Sequence, residues 1–476
     1  MRSDRRFTAL ACLALLTGCS LAPTYTVPVV EMPAAYKESA LWTQARPADA
    51  PTVPADWWTL FGDPVLNRLQ DEAVAGSQTL AATVAQLRVA QAALDSSRAP
   101  LLPALGVNAG GTRSVSSGAS SGTVDAAGNV IGASSGRPRN LYTLQASASW
   151  ELDLWGRLSS AVDAAAARAQ ASVDDLAAAR LSLQASVAQT YFALRTADAQ
   201  IVVLDDTLAG YQRSLELTRN RYAAGVASAA DVAQAETQLY STRAQRLESA
   251  LSRAQLEHAL AALLGKAPAA FSLAPDARLP EAPTVPQALP ATLLQRRPDI
   301  AAAERRVAAA NAQIGVARAA FFPALTLSTA AGYRSSTLND IVSAPNLFWS
   351  IGPALALSAF DNGARRAAVA SAGFAAEQAT ANYRQTVIVA LQEVEDNLVA
   401  AAVLQDEYTV QEQALVAARK ALSVAENQYR AGIVTYLAVV TAQASALSAQ
   451  RSMLDLRNRR LVAVNLLLKN LGGRWD

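Results

Sequence analysis

This 476-residue chain is poor in the two side chains most used for nucleophilic and metal chemistry, with one histidine and two cysteines. His258 is the single histidine, which removes histidine-based metal sites and histidine-containing nucleophilic triads. No Walker-type or dinucleotide fingerprint is present, and Gly110-Gly111 falls in a loop without the helix start such a motif needs. The inventory predicts no enzyme, no metal and no cofactor. One thiol stands apart. The cysteines are Cys12 and Cys19, and Cys19 closes the run Leu16-Thr17-Gly18-Cys19, a setting in which a thiol can carry lipid through a thioether.

Arg2, Arg5 and Arg6 precede an apolar stretch from Phe7 to Leu16 that is too short to span a bilayer, the pattern of a removable signal over residues 1–18. Its end resembles the bacterial lipobox, in which cleavage precedes a cysteine that is then lipidated. The alternative is an ordinary signal peptide that happens to hold a cysteine. Cys12 leaves with the signal, so the mature chain keeps one thiol and no internal disulfide is possible. A single acyl anchor holds weakly, and several chains together hold firmly. By resemblance to such lipoproteins, Ser20 in place of aspartate favours sorting to the outer membrane.

The elements that must position this anchor are written twice. Pro100-Leu-Leu-Pro103-Ala-Leu105 returns as Phe321-Phe-Pro323-Ala-Leu325, and Arg221-Tyr222-Ala-Ala-Gly225-Val226 returns as Gln428-Tyr429-Arg-Ala-Gly432-Ile433. Apolar content is 51 % with only 6 % aromatic and much of it alanine, which suits long, closely packed helices. A formal net charge of +2, with no basic run among aromatics, gives no reason to expect nucleic acid. No mature stretch reaches about 18 uncharged apolar residues, so no membrane-spanning helix is predicted.

Residues 19–63 form a Pro-rich extended strap closed by Trp57-Trp58 and Phe61-Gly62-Asp63-Pro64. Residues 64–264 form the first repeat, in which Asp63 caps a helix from Val65 to about Arg98. Strands at about 104–112 and 141–154 follow, separated by a Gly/Ser-rich loop expected to be mobile. The next helix runs from Arg157 to Tyr222 without proline, roughly 100 Å at 1.5 Å per residue. Residues 265–290 carry Pro268, Pro275, Pro280, Pro283, Pro286 and Pro290, either a belt around the middle of the molecule or a plain linker. Residues 291–476 repeat the plan, with strands at about 324–334 and 349–360 and a second long helix from Ala364 to Tyr429. The shorter helices are each about half the length of the long ones.

From Tyr142 to Leu154 apolar and polar residues alternate strictly, as a lipid-facing barrel strand requires, with Tyr142, Trp150 and Trp155 as interfacial aromatics. A soluble sandwich strand is the alternative for that segment alone. Four strands cannot close a transmembrane barrel, since about eight is the smallest number known. Open edges in lipid would leave backbone groups unsatisfied, so strands must be shared between copies. A soluble coiled coil fits poorly, because strict heptads are absent.

Arg296-Arg-Pro-Asp-Ile300 and Ala303-Glu304 through Asn311-Ala-Gln313 to Phe321-Phe-Pro323, with the duplicated Gly turns and the lipobox, resemble the outer membrane factor family, in its NodT-type lipoprotein branch. The resemblance spans essentially the whole mature chain. It implies a mainly α fold with a β-barrel segment: a homotrimer with a twelve-stranded outer-membrane barrel continued by a periplasmic α-helical tunnel. It implies a passive exit duct, set in outer-membrane lipid, that docks on a periplasmic adaptor. The adaptor in turn meets an inner-membrane transporter of the resistance-nodulation-division type. A type I protein secretion duct shares the architecture, and a lipid-anchored helical protein without a pore is a further alternative.

The resemblance puts both Gly turns at the periplasmic tip. Tyr222, Gly225, Val226 and Ala227, with Gly432, Ile433 and Val434, would meet the adaptor, although the glycines are also simply turn residues. Asp231 matches the family's acidic gate position, Tyr429 its aromatic partner, and Leu437 an apolar constriction. Arg430 supplies a positive charge, and an Asp231–Arg430 pair is the candidate closed contact, with Asp231 as a mere helix cap the competing reading. Where relatives carry entrance aspartates this chain has Ala438 and Thr441, so a cation-selective ring there is not expected.

Overall fold

The computed structural model describes residues 21–30, 56–115, 123–124, 130–131, 138–283 and 297–470. Cys19 and Arg296 lie outside them, as do Pro286 and Pro290. The described residues divide between two compact units. Two helices of 67 residues, α3 (Arg157–Ala223) and α6 (Ala364–Arg430), contribute to both units. Two of 35 residues, α4 (Ala229–Leu263) and α7 (Tyr436–Asn470), belong to one. The expected two-to-one ratio of lengths is met by these two, but not by the helix from Pro298 to Ala319, which has only 22 residues, nor by the one expected from Val65, which is broken.

The first unit, built around residues 89–169 and 305–380, carries the strands. β1 (Ala104–Ser114), β4 (Arg139–Leu152), β5 (Ala324–Ser335) and β6 (Leu347–Ala356) form one antiparallel sheet in the order β1-β4-β5-β6. Between β1 and β4, β2 (Thr123–Val124) pairs with β3 (Val130–Ile131) inside the segment expected to be only loop. β4 ends at Leu152 rather than 154, and β6 at Ala356 rather than 360, while β1 runs on to Ser114 and takes in Gly110-Gly111, which pair with Thr143 and Tyr142 rather than lying in a loop. Pro353 lies within β6, opposite Leu327, on the last strand of this sheet.

Register sorts the sheet into two faces. Leu105, Val107 and Ala109 lie opposite Ala148, Ala146 and Leu144. These pair in turn with Thr329, Ala331 and Tyr333, and those with Ile351, Trp349 and Leu347. The face between them holds Asn108, Gln145, Ser147, Ser149, Ser328 and Ser350. The apolar face is open rather than packed: Leu105 is 85 % exposed, Trp349 73 % and Ile351 63 %. A sheet with one bare hydrocarbon face and one hydroxyl- and amide-lined face needs a solvent other than water on one side. The alternation in β4 therefore extends to all four strands, including β5 and β6, where it is faint in sequence.

Two of the three expected interfacial aromatics have a further duty. The Trp150 indole N–H donates to the Leu101 carbonyl at 3.0 Å. Trp155, beyond the end of β4, donates to the Pro323 carbonyl at 2.8 Å and stacks on Phe322 with ring centroids 4.7 Å apart. β4 is thus tied to both copies of the duplicated Pro-Ala-Leu segment. Each long helix then starts from an aspartate. Asp153 accepts from the amides of Leu158 and Ser159 at 2.9 and 2.7 Å, and Asp361 from those of Gly363 and Arg365, both at 3.1 Å.

The Asn311–Arg318 stretch of the motif that carries the family resemblance holds the chain just after Cys19. The Asn311 amide donates to the Pro23 carbonyl at 2.8 Å, and Arg318 to that of Leu21 at 3.3 Å. A Cβ on Gly315 would lie 2.7 Å from the Ala22 side chain, so glycine makes room for the strap.

The second unit, built around residues 28–88, 170–304 and 381–476, holds the main core. Trp57, Phe61, Leu66, Leu69, Val187, Phe192, Leu260 and Leu468 pack there with Leu273 and Leu279. The helix expected from Val65 to Arg98 is in fact two, α1 (Pro64–Gly76) and α2 (Gln78–Arg98), broken at an extended Ser77. The reason is tertiary, since the backbones of Gly76 and Gly265 meet where α1 ends.

The segment from Gly265 to Pro283 is hydrogen-bonded to α3 and α4 of the same unit. Arg195 donates to the Ala274 carbonyl at 2.8 Å and Arg253 to that of Leu273 at 2.6 Å. Glu257 accepts from the Leu273 amide and Asp198 from the Asp276 amide, at 2.6 and 3.1 Å. α5 (Pro298–Ala319) opens beside buried Arg297, which donates to Asp299, Glu393 and Asn470 at 2.7, 2.9 and 3.3 Å. Burial alone would raise the Asp299 carboxyl, but Arg297 and the Ile300 amide outweigh it and hold the group below its ordinary range.

Candidate functional site: the paired helical hairpin tips

Both Gly turns lie in the second unit and are built alike. Gly225 has φ 73° and Gly432 φ 78°, the left-handed conformation that closes a helix. In the first, the Gly225 and Val226 amides donate to the carbonyls of Tyr222 and Arg221, both at 2.9 Å. In the second, the Gly432 and Ile433 amides donate to those of Tyr429 and Gln428 at 3.0 and 2.9 Å. Tyr222, Val226, Ile433 and Leu437 are exposed at these tips together with Gly225 and Gly432. Ala227 and Val434 are half-buried.

The returning helices start differently. Ser228 and Asp231 form a capping box: the Asp231 amide donates to Ser228 Oγ at 3.1 Å. Asp231 Oδ2 accepts from the Ser228 amide and hydroxyl, both at 2.9 Å. In the second hairpin Thr441 only returns its hydroxyl to the Leu437 carbonyl at 3.0 Å. Arg430 lies 3.2 Å from Asn427 Oδ1 and 3.7 Å from Glu426. Within one protomer, then, Asp231 and Arg430 are each engaged in their own hairpin. The expected pair between them is not formed there, because the capping geometry already uses the Asp231 carboxylate.

The equivalent tyrosines also diverge. Tyr222 is 52 % exposed, whereas Tyr429 is 5 % exposed. The Tyr429 ring packs on Tyr436 with centroids 5.3 Å apart, and its hydroxyl lies 3.4 Å from Thr218 Oγ1. The Tyr436 hydroxyl lies 3.3 Å from Ser214 Oγ, and Gln238 donates to the Tyr211 hydroxyl at 3.2 Å. Burial pushes the Tyr211 and Tyr436 phenols up, so both stay neutral at any physiological pH. With Leu215, Leu239 and Val439 these tyrosines form a small core joining the two hairpins near their tips.

Arg221 completes the join. Its Nη1 donates to the Tyr429 carbonyl at 2.6 Å, and its guanidinium carbon sits 4.6 Å from the centre of the Tyr429 ring. Sequence reasoning missed Arg221, Tyr436, Thr218 and Ser214. The available signal was the mismatch of the repeats, which put Arg221 opposite Gln428.

Comparison with known proteins gives this arrangement its context. The profile of the outer membrane efflux protein family matches residues 69–266 and again 289–473. The chain belongs to the outer membrane efflux protein family. Among its relatives, the probable efflux pump outer membrane protein TtgC of Pseudomonas putida is 32 % identical over 97 % of this chain and 94 % of its own length. The cation efflux system protein CusC of Escherichia coli is 31 % identical over 98 % of each chain. Among solved structures, the outer-membrane channel OprN superposes with a TM-score of 0.86 at 29 % identity, over 96 % of this chain and all of that one. VceC of Vibrio cholerae gives 0.79 at 31 % identity, over 89 % and 99 %. The two halves of the family match fall on the two repeats, and each ends with one of the half-length helices, α4 or α7. The chain has the fold of these efflux channels, barrel strands and tunnel helices alike.

Proposed function

We propose that three copies of this chain form the exit duct of a tripartite efflux pump, set in the outer membrane and reaching into the periplasm. The observation that carries this is the sheet: an open apolar face, a polar face, and two edges, β1 and β6, that no described strand covers. Sharing those edges among three chains closes a barrel of about twelve strands with the polar face inward. The duct does no chemistry, and its energy comes from an inner-membrane transporter through a periplasmic adaptor. The adaptor grips the hairpin tips at Tyr222, Gly225, Val226 and Ala227 and at Gly432, Ile433 and Val434. The gate lies at the same tips, where Asp231, Arg430 and exposed Leu437 face the next copy and Tyr429 sets the hairpin's place. Lipid on Cys19 tethers the strap that α5 receives through Asn311, Gly315 and Arg318.

Relatives named for toluene, antibiotic and cation efflux share this scaffold, as the transporter's choice of cargo requires. Two experiments test the proposal. In a strain lacking its own duct, this chain expressed with an adaptor and a resistance-nodulation-division transporter should restore resistance to the pump's substrates, and the purified trimer should conduct in planar bilayers. Monomers without conductance would overturn the reading, and export of a polypeptide instead would favour the secretion duct. A lipid-face charge gives a sharper check. Ile351→Arg, near the middle of its strand, should cost roughly 2–4 kcal/mol and abolish the heat-resistant trimer on gels, whereas Ser350→Arg on the polar face should leave it.

A further inference from the structure

We propose that Arg334 and Arg139 form a cationic collar inside the outer mouth of the barrel, and that this collar makes the mouth prefer anionic solutes to cations. This rests on the duct reading above. Helices join the sheet at one end only, before Ala104 and Ala324 and after Leu152 and Ala356. The opposite end, with the β1–β4 and β5–β6 connections, is then the mouth that opens outside the cell. Register decides which groups face the bore there. Arg139 pairs with Ser114 and Arg334 with Thr143, so both fall on the hydroxyl- and amide-lined face. Arg113 lies at the same end, but it pairs with Asn140 and falls on the apolar face.

Charge on the polar face is confined to its two ends. At the helix end Glu151 stands opposite Thr326, and Arg157 neutralises it through two bonds of 2.9 and 2.7 Å. From there to Arg334 the face carries only neutral side chains. At the outer end Arg139 and Arg334 are both exposed, and no ion pair among the described residues engages either. Asp340, in the β5–β6 connection, is the one acid among the described residues of that end. Arg334 is also held in place. Its guanidinium carbon sits 4.8 Å from the centre of the Phe348 ring. Phe348 shares a row with Asn108, Gln145 and Gly332, directly opposite the glycine, where no side chain competes for its space. Arg334 starts one row farther out, so its charge leans back over the ring into the bore. Three copies bring these arginines around a single opening. A ring of one sign in a low-dielectric wall draws in counter-ions and repels co-ions. Its reach is about 10 Å at 0.1 M salt and about 3 Å at 1 M, so the preference must fade as salt rises.

The test is the chloride-to-potassium permeability ratio of the full-length trimer, read from reversal potentials in planar bilayers under potassium chloride gradients around 0.1 M and around 1 M. Arg334→Glu should lower the ratio roughly threefold to tenfold in the dilute gradient and leave it near wild type in the concentrated one. Arg113→Glu makes the same charge change at the same end but on the other face, and should leave the ratio unchanged. Phe348→Ala should lower it by about twofold, because the arginine is freed, and Phe348→Tyr, which keeps a ring, should match wild type. If Arg334→Glu trimers are not recovered, Arg334→Gln and Arg139→Gln decide, each with a smaller shift in the same direction. An unchanged ratio in the Arg334 variants would overturn the collar. So would an equal shift in Arg113→Glu, or a shift that persists in the concentrated gradient. Wild-type trimers that conduct and restore export mark the duct reading as sound whatever these variants do, so the two can fail separately.

Discussion

Gly265→Ala should yield chain but almost no assembled duct. Gly265 has φ 70°, which costs an alanine about 1–2 kcal/mol by itself. The larger cost is contact. A Cβ there would lie 2.0 Å from the Gly76 carbonyl oxygen and 2.7 Å from its carbon, both backbone atoms that cannot turn aside. A Cβ on Gly76 would in turn meet the Leu264 carbonyl oxygen at 2.4 Å. The ends of α1 and α4 therefore meet backbone to backbone, and relief requires them to separate. Buried Leu69, Ala73, Leu260 and Leu264 line that junction, so separation opens the main core. A total on the order of 4 kcal/mol is expected. Trimer yield in detergent and the thermal midpoint measure it. Gly225→Ala is the control: the same conformation with nothing within 4 Å of the new atom, and a loss of only about 1 kcal/mol. Equal losses at the two sites would show that strain, not contact, sets the requirement for glycine.

Asp198→Ala should release the segment from Gly265 to Pro283. The Asp198 carboxylate is almost fully buried and accepts from Arg195 at 3.0 Å, Arg253 at 2.8 Å and the Asp276 amide at 3.1 Å. Removing it leaves the buried Arg195 without its paired carboxylate and Arg253 with Glu257 alone, a situation that typically costs about 3–5 kcal/mol. The Asp276 amide loses its acceptor as well. Limited proteolysis should then cut between Pro268 and Pro283 before any other core segment, and the thermal midpoint should fall. Asp198→Asn, which keeps an acceptor oxygen but not the charge, should recover part of the loss. Wild-type resistance to protease in the alanine variant would mean that Leu273 and Leu279, buried in the same core, hold the segment unaided.

What sequence could and could not show follows from the range of the forces involved. Strict alternation in β4 and the proline-free run of α3 are local, and both appear nearly as expected. The Gly turns are local too, and the repeat marked them. The break at Ser77 is not: nothing between Val65 and Arg98 forbids a continuous helix, and the cause is Gly265, far along the chain. That residues 273–276 are held against the helices was not legible in the prolines of that segment, because Arg195 and Arg253, which bind its carbonyls, lie outside it. Arg221 looked like an ordinary helix-end cation, since its partner Tyr429 is about two hundred residues away. The apolar face shared by β5 and β6 becomes visible only when register sets Ala331 beside Trp349 and Thr329 beside Ile351.

The two uncovered sheet edges have a consequence in genetics. A duct closed by three equal chains is only as sound as its worst member, so an allele that folds, inserts and joins but carries a faulty tip spoils every assembly it enters. With equal amounts of normal and faulty chain, roughly one assembly in eight would be wholly normal. Such alleles should behave as dominant. Alleles such as Gly265→Ala, which never reach assembly, should be recessive.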